Sequence, residues 1–507
     1  MDGQAEERQQ QQERTFRHVM KYTGLFGGVQ GITMLVAVVR NKVAAVLLGP
    51  AGIALVNIYM TVTNLLNQAT NLGISFSAVK HVSELFDQGD TGRTARFVAT
   101  VRAWSVATAV LGIGATCLLS PLLSLWTFGD WGHALTFCAL SPVVGMASVT
   151  GGELAILKGL RQLGRVARIS VAGAVGTLCA TAPLYLWLGT DGIVAALLLA
   201  TAAVMAVHLY HSARCCPWRM DGRWRAHFRA GMPMVRLGVA FIVAGVGGQG
   251  AEFVIRLALL HLGSLADVGF YNSGYVMAVT YASVVFTAIE VDYFPRLSAA
   301  CADRERMSGI VNQQTEVCVL LVAPFLILFV LAMPFVVHLL YSAEFAPAVP
   351  MAVCTVPYMF FKALTLPAAY LSLAHGDSRT YLLTELVYDV FVVAAIPVGF
   401  ALWGLPGAGW MLSAGGVLDL LVIHLLYRRR YGFRFDFGPL RFYIAQFLLL
   451  AAALLAVLAL DGRPAMKWAA GGAAFAVSAL LSLRRLGREA RLAEVLRARL
   501  WRGRKGS

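Results

Sequence analysis

Lys362 interrupts a long apolar stretch, residues 349–374, at a depth where lipid would surround it if the stretch crosses a membrane. No carboxylate lies within one helical turn, so we expect its ammonium group to lack an acidic partner. A charge at bilayer depth costs roughly 2.5–3.5 kcal/mol and persists where it faces a wet cavity or a partner. The residue type and its depth therefore predict the binding of an anionic group. The alternative is an ion pair with an acid of a neighbouring helix, for which the candidates are Glu316, Glu385 and Asp389.

Three further cations lie in the outer parts of two predicted helices. Arg40 and Lys42 belong to the first predicted helix, and Arg256 holds the matching position in the seventh. Presented from two related helices, such cations would line a shared cavity for an anionic substrate. The alternative is that these long side chains snorkel to the membrane surface, as cations near helix ends do. Glu252 precedes Arg256 by one turn, a spacing that favours an ion pair.

A second basic group is expected on the opposite side of the membrane. There Lys80, Arg161 and the deeper Arg102 would form a vestibule for an anionic substrate together with His81, Lys158 and Arg296, although membrane topology alone also explains such charges. Carboxylates at membrane depth can bind a coupling proton or sodium ion. We consider three of them for that role: Glu252, Glu316 and Asp389.

The composition excludes an ordinary soluble domain. The chain is 58% hydrophobic and 14% charged, whereas soluble domains average about 25% charged residues. Spanning helices need about 20 apolar residues, and the chain offers about fourteen such stretches. We therefore predict an all-α polytopic membrane protein. The expected spans are 19–47, 52–76, 97–125, 132–157, 165–188, 192–212, 234–261, 268–294, 310–337, 347–373, 380–402, 407–427, 440–460 and 465–483.

The net charge of +15 reflects membrane topology and does not indicate a nucleic-acid partner. Most Lys and Arg residues fall in alternate loops, and the opposite set of loops carries only Arg463 and Lys467. This is the positive-inside pattern, which places both chain termini in the cytoplasm.

The two halves of the chain resemble each other. Residues 51–57 align with 266–272 at a shift of 215, and 157–165 align with 371–379 at 214. Lys362 then matches Ser148, or Ala147 if the offset drifts. We predict two six-helix lobes related by a pseudo-two-fold axis along the membrane normal, plus two C-terminal helices. The expected segments are a cytoplasmic tail (1–18), an N-lobe (19–212), an interfacial connector (213–233), a C-lobe (234–430), helices 13 and 14 (431–483) and a basic cytoplasmic tail (484–507).

No motif indicates an enzyme. The sequence lacks the G-x-x-x-x-G-K-[ST] phosphate-binding loop and any His/Cys cluster with metal-ligand spacing. We therefore expect no catalytic residue, no bound metal and no cofactor other than a coupling proton or sodium ion.

Several short motifs carry a resemblance to a known family. They are Leu-Gly-Pro-Ala-Gly at 48–52, Leu-Lys-Gly-Leu-Arg at 157–161, Tyr-Phe-Pro-Arg-Leu-Ser at 293–298, and Lys362 followed by Arg379. Over residues 15–430 the chain resembles the Wzx-type O-antigen flippases of the polysaccharide transporter family. That family belongs to the multidrug/oligosaccharidyl-lipid/polysaccharide exporter superfamily.

The resemblance implies a flippase of the bacterial inner membrane that works by alternating access. Its substrate would be an undecaprenyl-pyrophosphate-linked oligosaccharide, such as an O-antigen unit, moved from the cytoplasmic to the periplasmic leaflet. The lipid bilayer and a glycan polymerase complex would be its partners. Two alternatives stay open: a multidrug/cation antiporter of the same superfamily, or a non-transporting scaffold of a glycan-assembly complex.

Overall fold

The computed structural model describes residues 2–503 apart from 219–223, 284–285, 287–292, 295, 302, 437 and 461. For residues 2–27, 237, 239–241, 243–244 and 488–503 only the backbone is described. Within these residues the chain forms helices and no β-strand. The N-terminal tail and most of the C-terminal tail, together with part of the connector, lie outside the residues whose side chains are described.

Fourteen α-helices can be followed through the described part of the chain. They are α1 (Asp2–Thr70), α2 (Ile74–Asp87), α3 (Thr91–Phe128), α4 (Ala134–Ala139), α5 (Ser141–Gly159), α6 (Leu163–Leu188), α7 (Ile193–Ala213), α8 (Trp224–Leu262), α9 (Leu265–Tyr275), α10 (Arg304–Leu340), α11 (Ala348–Ala374), α12 (Ser378–Tyr431), α13 (Leu440–Ala459) and α14 (Pro464–Gly503).

The membrane-spanning character predicted from composition is confirmed. Among the described residues, nine helical stretches are long and apolar enough to cross a bilayer. Three of these stretches are 43, 51 and 54 residues long, about twice what one crossing needs. Each contains a glycine with positive φ that separates two crossings: Gly49, Gly189 and Gly404. The protein is therefore an all-α polytopic membrane protein.

Glycine is required at the break in α1. Gly49 has φ 64° and ψ −173°, a backbone conformation that is essentially restricted to glycine. Pro50 follows, and its ring and missing N–H oppose a continuous helix. The break falls between the predicted ends at residues 47 and 52, so this boundary was correctly predicted.

Left-handed turn residues recur at the repeat distance. Arg161 (φ 55°) corresponds to Gly376 (φ 67°), and Gly189 (φ 56°) corresponds to Gly404 (φ 64°), each pair being 215 residues apart. The predicted shift of 214 for residues 157–165 is therefore wrong by one residue. With the corrected register, the counterpart of Lys362 is Ala147, which carries no polar group.

Gly407 shows how closely the two halves of α12 pack after the turn at Gly404. A Cβ at residue 407 would overlap the carbonyl group of Gly399. We expect Gly407→Ala to lower the free energy of unfolding by roughly 1–3 kcal/mol, because the backbones must move apart. Thermal unfolding in detergent measures this. Gly472→Ala is the matched control, since nothing lies within 4 Å of a Cβ there. Equal stability of the two variants would contradict this account.

The chain divides into two compact units. Unit 1 comprises residues 1–269 with 340–342, and unit 2 comprises 270–339 with 343–507. In unit 1, α5 packs against α2, α3 and α7, and α8 packs against α1, α2 and α3. Its core includes Ile74, Val101, Ile156 and Met234.

In unit 2, α11 packs along α12, and α13 packs against α14. The core at one end of this unit includes Leu297, Val311, Leu371 and Tyr427.

Candidate functional site

Lys362 of α11 lies opposite the second half of α12. Its Nζ is 3.9 Å from Oδ2 of Asp419, and the two side chains are 31% and 13% exposed. The expectation that Lys362 lacks a carboxylate partner is therefore wrong, and Asp419 was not among the acids considered as partners. Asp419 belongs to another helix, so the residues within one helical turn of Lys362 could not indicate it as the partner.

Small residues bring α11 and α12 together at this point. A Cβ on Gly416 would lie 3.0 Å from Cβ of Phe361 and 3.2 Å from Cδ2 of Tyr358. Small residues allow this kind of close approach between membrane helices. The glycine thus lets Tyr358 and Lys362, one turn apart on α11, face the polar side chains of α12.

The Lys362 cluster comprises Lys362 and the polar side chains that surround it in unit 2. Tyr358, Asp419, Glu385 and Tyr381 all act electrostatically on Lys362. The ring centroids of Tyr358 and Tyr388 are 6.1 Å apart. Asp389 interacts electrostatically with both Tyr381 and Glu385. The cluster thus combines one ammonium group, three carboxylates and three phenol hydroxyl groups.

Part of this cluster could have been found from the sequence. Tyr381, Glu385, Tyr388 and Asp389 follow each other at intervals of three or four residues, which places them along one face of α12. That spacing is a signal of a polar face within an apolar helix. Asp389 and Glu385 were predicted as candidate partners of Lys362, whereas the tyrosines were not predicted.

Arg102 of α3 is buried in a polar network of unit 1. It forms a two-pronged ion pair with Glu153 of α5 at 2.9 and 3.3 Å, and both side chains are 2% exposed. Arg102 also donates to the carbonyl oxygens of Cys216 (2.9 Å) and Pro217 (3.1 Å), while Trp218 donates to Glu153 (3.0 Å). Arg102 therefore holds the segment after α7 against α3 and α5. Its N–H groups donate to acceptors within the protein itself.

Two other members of the predicted vestibule, Lys80 and Arg161, lie at the surface. Lys80 and Arg161 are both 61% exposed, and their nearest carboxylates are those of Glu84 at 3.9 Å and Asp87 at 2.6 Å. Exposed pairs of this kind contribute about 0–1 kcal/mol to stability. The structure does not bring Lys80 and Arg161 together with the buried Arg102.

The outer cations of unit 1 have different surroundings. Arg256 pairs with Glu252 at 2.8 Å, as their spacing predicted. Lys42 donates to the carbonyl oxygen of Tyr341. Arg40 has no carboxylate within 4.0 Å among the described residues, and it acts electrostatically on Tyr185.

Glu316, one of the carboxylates considered for ion coupling, is paired with a basic residue of α14. Its Oε1 accepts a hydrogen bond from Nε of Arg485, which also lies over the ring of Phe442. The pair fastens the start of the predicted C-terminal tail to α10. Among the described residues, no group of three His, Cys, Asp or Glu side chains is placed to hold a metal ion.

Asp377 caps α12 just before the membrane-spanning stretch begins. Its carboxylate accepts hydrogen bonds from Oγ1 and the backbone N–H of Thr380, from Nε of Arg430 and from the hydroxyl of Tyr431. These hydrogen bonds, led by those of Thr380, hold the pKa of Asp377 well below its ordinary value. The stabilisation is therefore present at neutral pH and is lost as the pH falls below the ordinary aspartate pKa of about 4.

We expect Asp377→Ala to destabilise the protein by about 1 kcal/mol at pH 7, as loss of an N-cap does. Asp377→Asn keeps the capping oxygen and should retain most of that stability at pH 7. Thermal unfolding at pH 7 and in acid measures both effects. The difference in thermal stability between wild type and Asp377→Asn should shrink in acid. A difference in stability that grows as the pH falls would contradict the assignment of Asp377 as an ionised cap.

Comparisons with known proteins agree with this architecture. A family model described as "Polysaccharide biosynthesis protein" matches residues 43–350. Nothing among the curated protein sequences matches the chain.

Three solved structures share the fold at low sequence identity. An inward-facing multidrug resistance MATE transporter of the MOP superfamily has a TM-score of 0.63 at 14% identity, with 79% of this chain and 94% of that one covered. The lipid II flippase MurJ, inward closed, has a TM-score of 0.62 at 12% identity, with 91% and 99% covered. A MOP-superfamily transporter from Pyrococcus furiosus has a TM-score of 0.58 at 14% identity, with 82% and 96% covered. Since the family model covers more than half of the sequence, the chain belongs to the polysaccharide biosynthesis protein family, and it has the fold of the MOP-superfamily transporters.

Proposed function

We propose that this protein is a flippase for an undecaprenyl-pyrophosphate-linked oligosaccharide, an O-antigen unit or a related surface glycan. It moves the glycan from the cytoplasmic to the periplasmic leaflet of the bacterial inner membrane by alternating access, with both chain termini in the cytoplasm. The observation that carries the proposal is Lys362, a half-buried cation at membrane depth in a chain of the polysaccharide biosynthesis family. The fold shared with a lipid II flippase supports the same substrate class.

The geometry at Lys362 suits reversible binding of a pyrophosphate. The 3.9 Å separation from Asp419 exceeds hydrogen-bond length, so the three ammonium donors remain available to a ligand. A phosphate oxygen would receive a charge-assisted hydrogen bond in a low-dielectric setting. The carboxylates of Asp419 and Glu385 compete for the same ammonium group and favour release of the anion, which a transporter needs as much as binding.

The remaining groups of the Lys362 cluster suit a sugar. The hydroxyl groups of Tyr358, Tyr381 and Tyr388 can both donate to and accept from glycan hydroxyl groups. Arg40, Lys42 and Arg256 of unit 1 are proposed as further contacts to the anionic substrate. Glu252 of unit 1 and Asp389 of unit 2 are proposed as sites for a coupling proton or sodium ion. A glycan polymerase complex is a proposed partner.

Two measurements test the flippase function. A deletion strain should accumulate the lipid-linked glycan on the cytoplasmic leaflet, and the wild-type gene should reverse this. Proteoliposomes containing the purified protein should move a labelled undecaprenyl-pyrophosphate oligosaccharide between leaflets faster than protein-free liposomes. A deletion strain with normal glycan on both leaflets, together with inactive proteoliposomes, would rule the proposal out.

A multidrug/cation antiporter is the second candidate, and the carboxylates that act on Lys362 are the observation that favours it. Asp419 and Glu385 outnumber the single ammonium group that they act on, and acidic walls suit cationic drugs. Efflux of a cationic dye from cells that express the protein distinguishes the two functions. Dye efflux without glycan flipping would replace the flippase by the antiporter.

A further inference from the structure

Unit 2 contains a basic cleft whose first arginine on α12, Arg428, lies nine residues beyond Asp419 of the Lys362 cluster. Its volume is about 740 Å³, and four arginines line it: Arg304 at the start of α10, Arg428 and Arg429 at the end of α12, and Arg434 in the segment that follows. We call these four residues the basic cleft. The positive-inside pattern assigns this side of the membrane to the cytoplasm.

The backbone around the cleft fixes the arginines in place. α12 ends at Tyr431, and the cap residue Gly432, with a φ of 70°, turns the chain back toward α10. A Cβ on Gly432 would lie 3.4 Å from Cδ of Arg304, so the turn packs directly against that side chain. Asn312 of α10 then holds the next residues by donating to the carbonyl oxygen of Arg434 (2.9 Å) and accepting from the N–H of Asp436 (3.0 Å).

The charge of the cleft is left uncompensated. Within the described part of the chain, none of its four arginines has a carboxylate oxygen within 4.0 Å, and Glu305 is the one acid in its lining. The neighbouring Arg430, by contrast, pairs with Asp377 at 3.0 Å. Topology requires positive charge on this side, but it does not require four unpaired arginines to converge on one cavity.

An apolar stripe leads from the cleft toward the membrane interior. Val417, Leu421 and Leu425 are 39%, 52% and 58% exposed, and they follow each other every four residues on the α12 face that ends in Arg428 and Arg429. At a rise of 1.5 Å per residue, the face from Val417 to Arg428 is about 16 Å long. A soluble anion would make no contact with this apolar stripe, whereas an amphiphile would place its headgroup in the basic cleft and its apolar chain along the stripe.

We propose that the basic cleft binds the headgroup of an anionic glycerophospholipid, with one acyl chain along Val417, Leu421 and Leu425. The phosphate receives charge-assisted hydrogen bonds from the arginines, whose planar donors match phosphate oxygens. Basic pockets between transmembrane helices on the cytoplasmic side are suited to anionic headgroups. This lipid is distinct from the transported glycan and uses none of the groups of the Lys362 cluster.

Native mass spectrometry of the purified full-length protein with added phosphatidylglycerol tests the proposal. The cleft variant is Arg428→Gln with Arg434→Gln, and the matched control is Arg306→Gln with Arg441→Gln, two exposed arginines outside the cleft. Wild type and control should each retain one bound phosphatidylglycerol. The cleft variant should bind it about tenfold more weakly and therefore lose it. Equal retention by the cleft variant and the control would overturn the proposal.

Three ligand arms identify what the cleft recognises. Phosphatidylcholine should bind weakly, because its headgroup has no net charge, and glycerophosphoglycerol should bind weakly, because it lacks acyl chains. An excess of inorganic phosphate should leave most of the phosphatidylglycerol bound. Displacement by inorganic phosphate would show a site for free anions, and equal binding of phosphatidylcholine would show a purely apolar site. Either result would overturn the proposal.

Discussion

Lys362→Gln is expected to reduce glycan flipping by about tenfold to a hundredfold, because a hydrogen bond to a charged group contributes about 1.5–3 kcal/mol. The glutamine removes the ammonium group that the carboxylates of Asp419 and Glu385 act on, so these carboxylates would then repel an anionic substrate. Lys362→Arg keeps the charge and should retain part of the activity. The initial rate of transfer between leaflets in proteoliposomes, normalised to the amount of folded protein, measures the effect.

Removing Lys362 also leaves Asp419 without its cation, so loss of stability must be separated from loss of binding. The double variant Lys362→Gln with Asp419→Asn removes both charges of the pair and should restore thermal stability while flipping stays low. If Lys362→Gln folds normally and flips at the wild-type rate, Lys362 does not bind the pyrophosphate. If the double variant regains transport, the lysine serves only to neutralise Asp419.

The second large effect is expected at Arg102. Arg102→Ala should lower the free energy of unfolding by about 3–5 kcal/mol, because it leaves Glu153 as an unpaired charge at a site that is 2% exposed. It also removes the donors that hold Cys216 and Pro217. Thermal or denaturant unfolding in detergent, followed by size-exclusion chromatography, measures the loss.

Two controls show whether burial of the pair causes this effect. Arg102→Met with Glu153→Leu replaces both charges by apolar groups of similar size and should recover most of the stability, as such replacements of buried pairs do. Arg161→Ala removes an exposed pair and should cost less than about 1 kcal/mol. An Arg102→Ala protein that is as stable as wild type but inactive in flipping would instead give Arg102 the substrate contact that the sequence suggested.

Most of the spans, and the breaks at Gly49, Gly189 and Gly404, could be predicted because short windows of sequence determine them. The expected spans 234–261 and 268–294 include residues outside the fully described part of the chain. An apolar run of about 20 residues is long enough to cross the hydrocarbon core of a bilayer as a helix. The helix satisfies its own backbone hydrogen bonds, so this preference does not depend on the neighbouring helices. The break at Gly49 and Pro50 depends on two residues whose backbone preferences act locally. The pair of Glu252 and Arg256 was predicted for the same reason, since one helical turn fixes their separation.

The partners of the buried charges depended on the tertiary structure. Lys362 lies within an apolar helix long enough to cross the membrane, as predicted, but Asp419 lies opposite it only because Gly416 lets α11 approach α12. Arg102 and Glu153 are 51 residues apart, and Glu316 and Arg485 are 169 apart. Which polar side chains meet depends on the rotation and closeness of packed helices. Hydrophobicity and local spacing therefore determine from sequence alone that this chain crosses the membrane and where, while only the packing of the helices decides which of its charges remain available to a substrate.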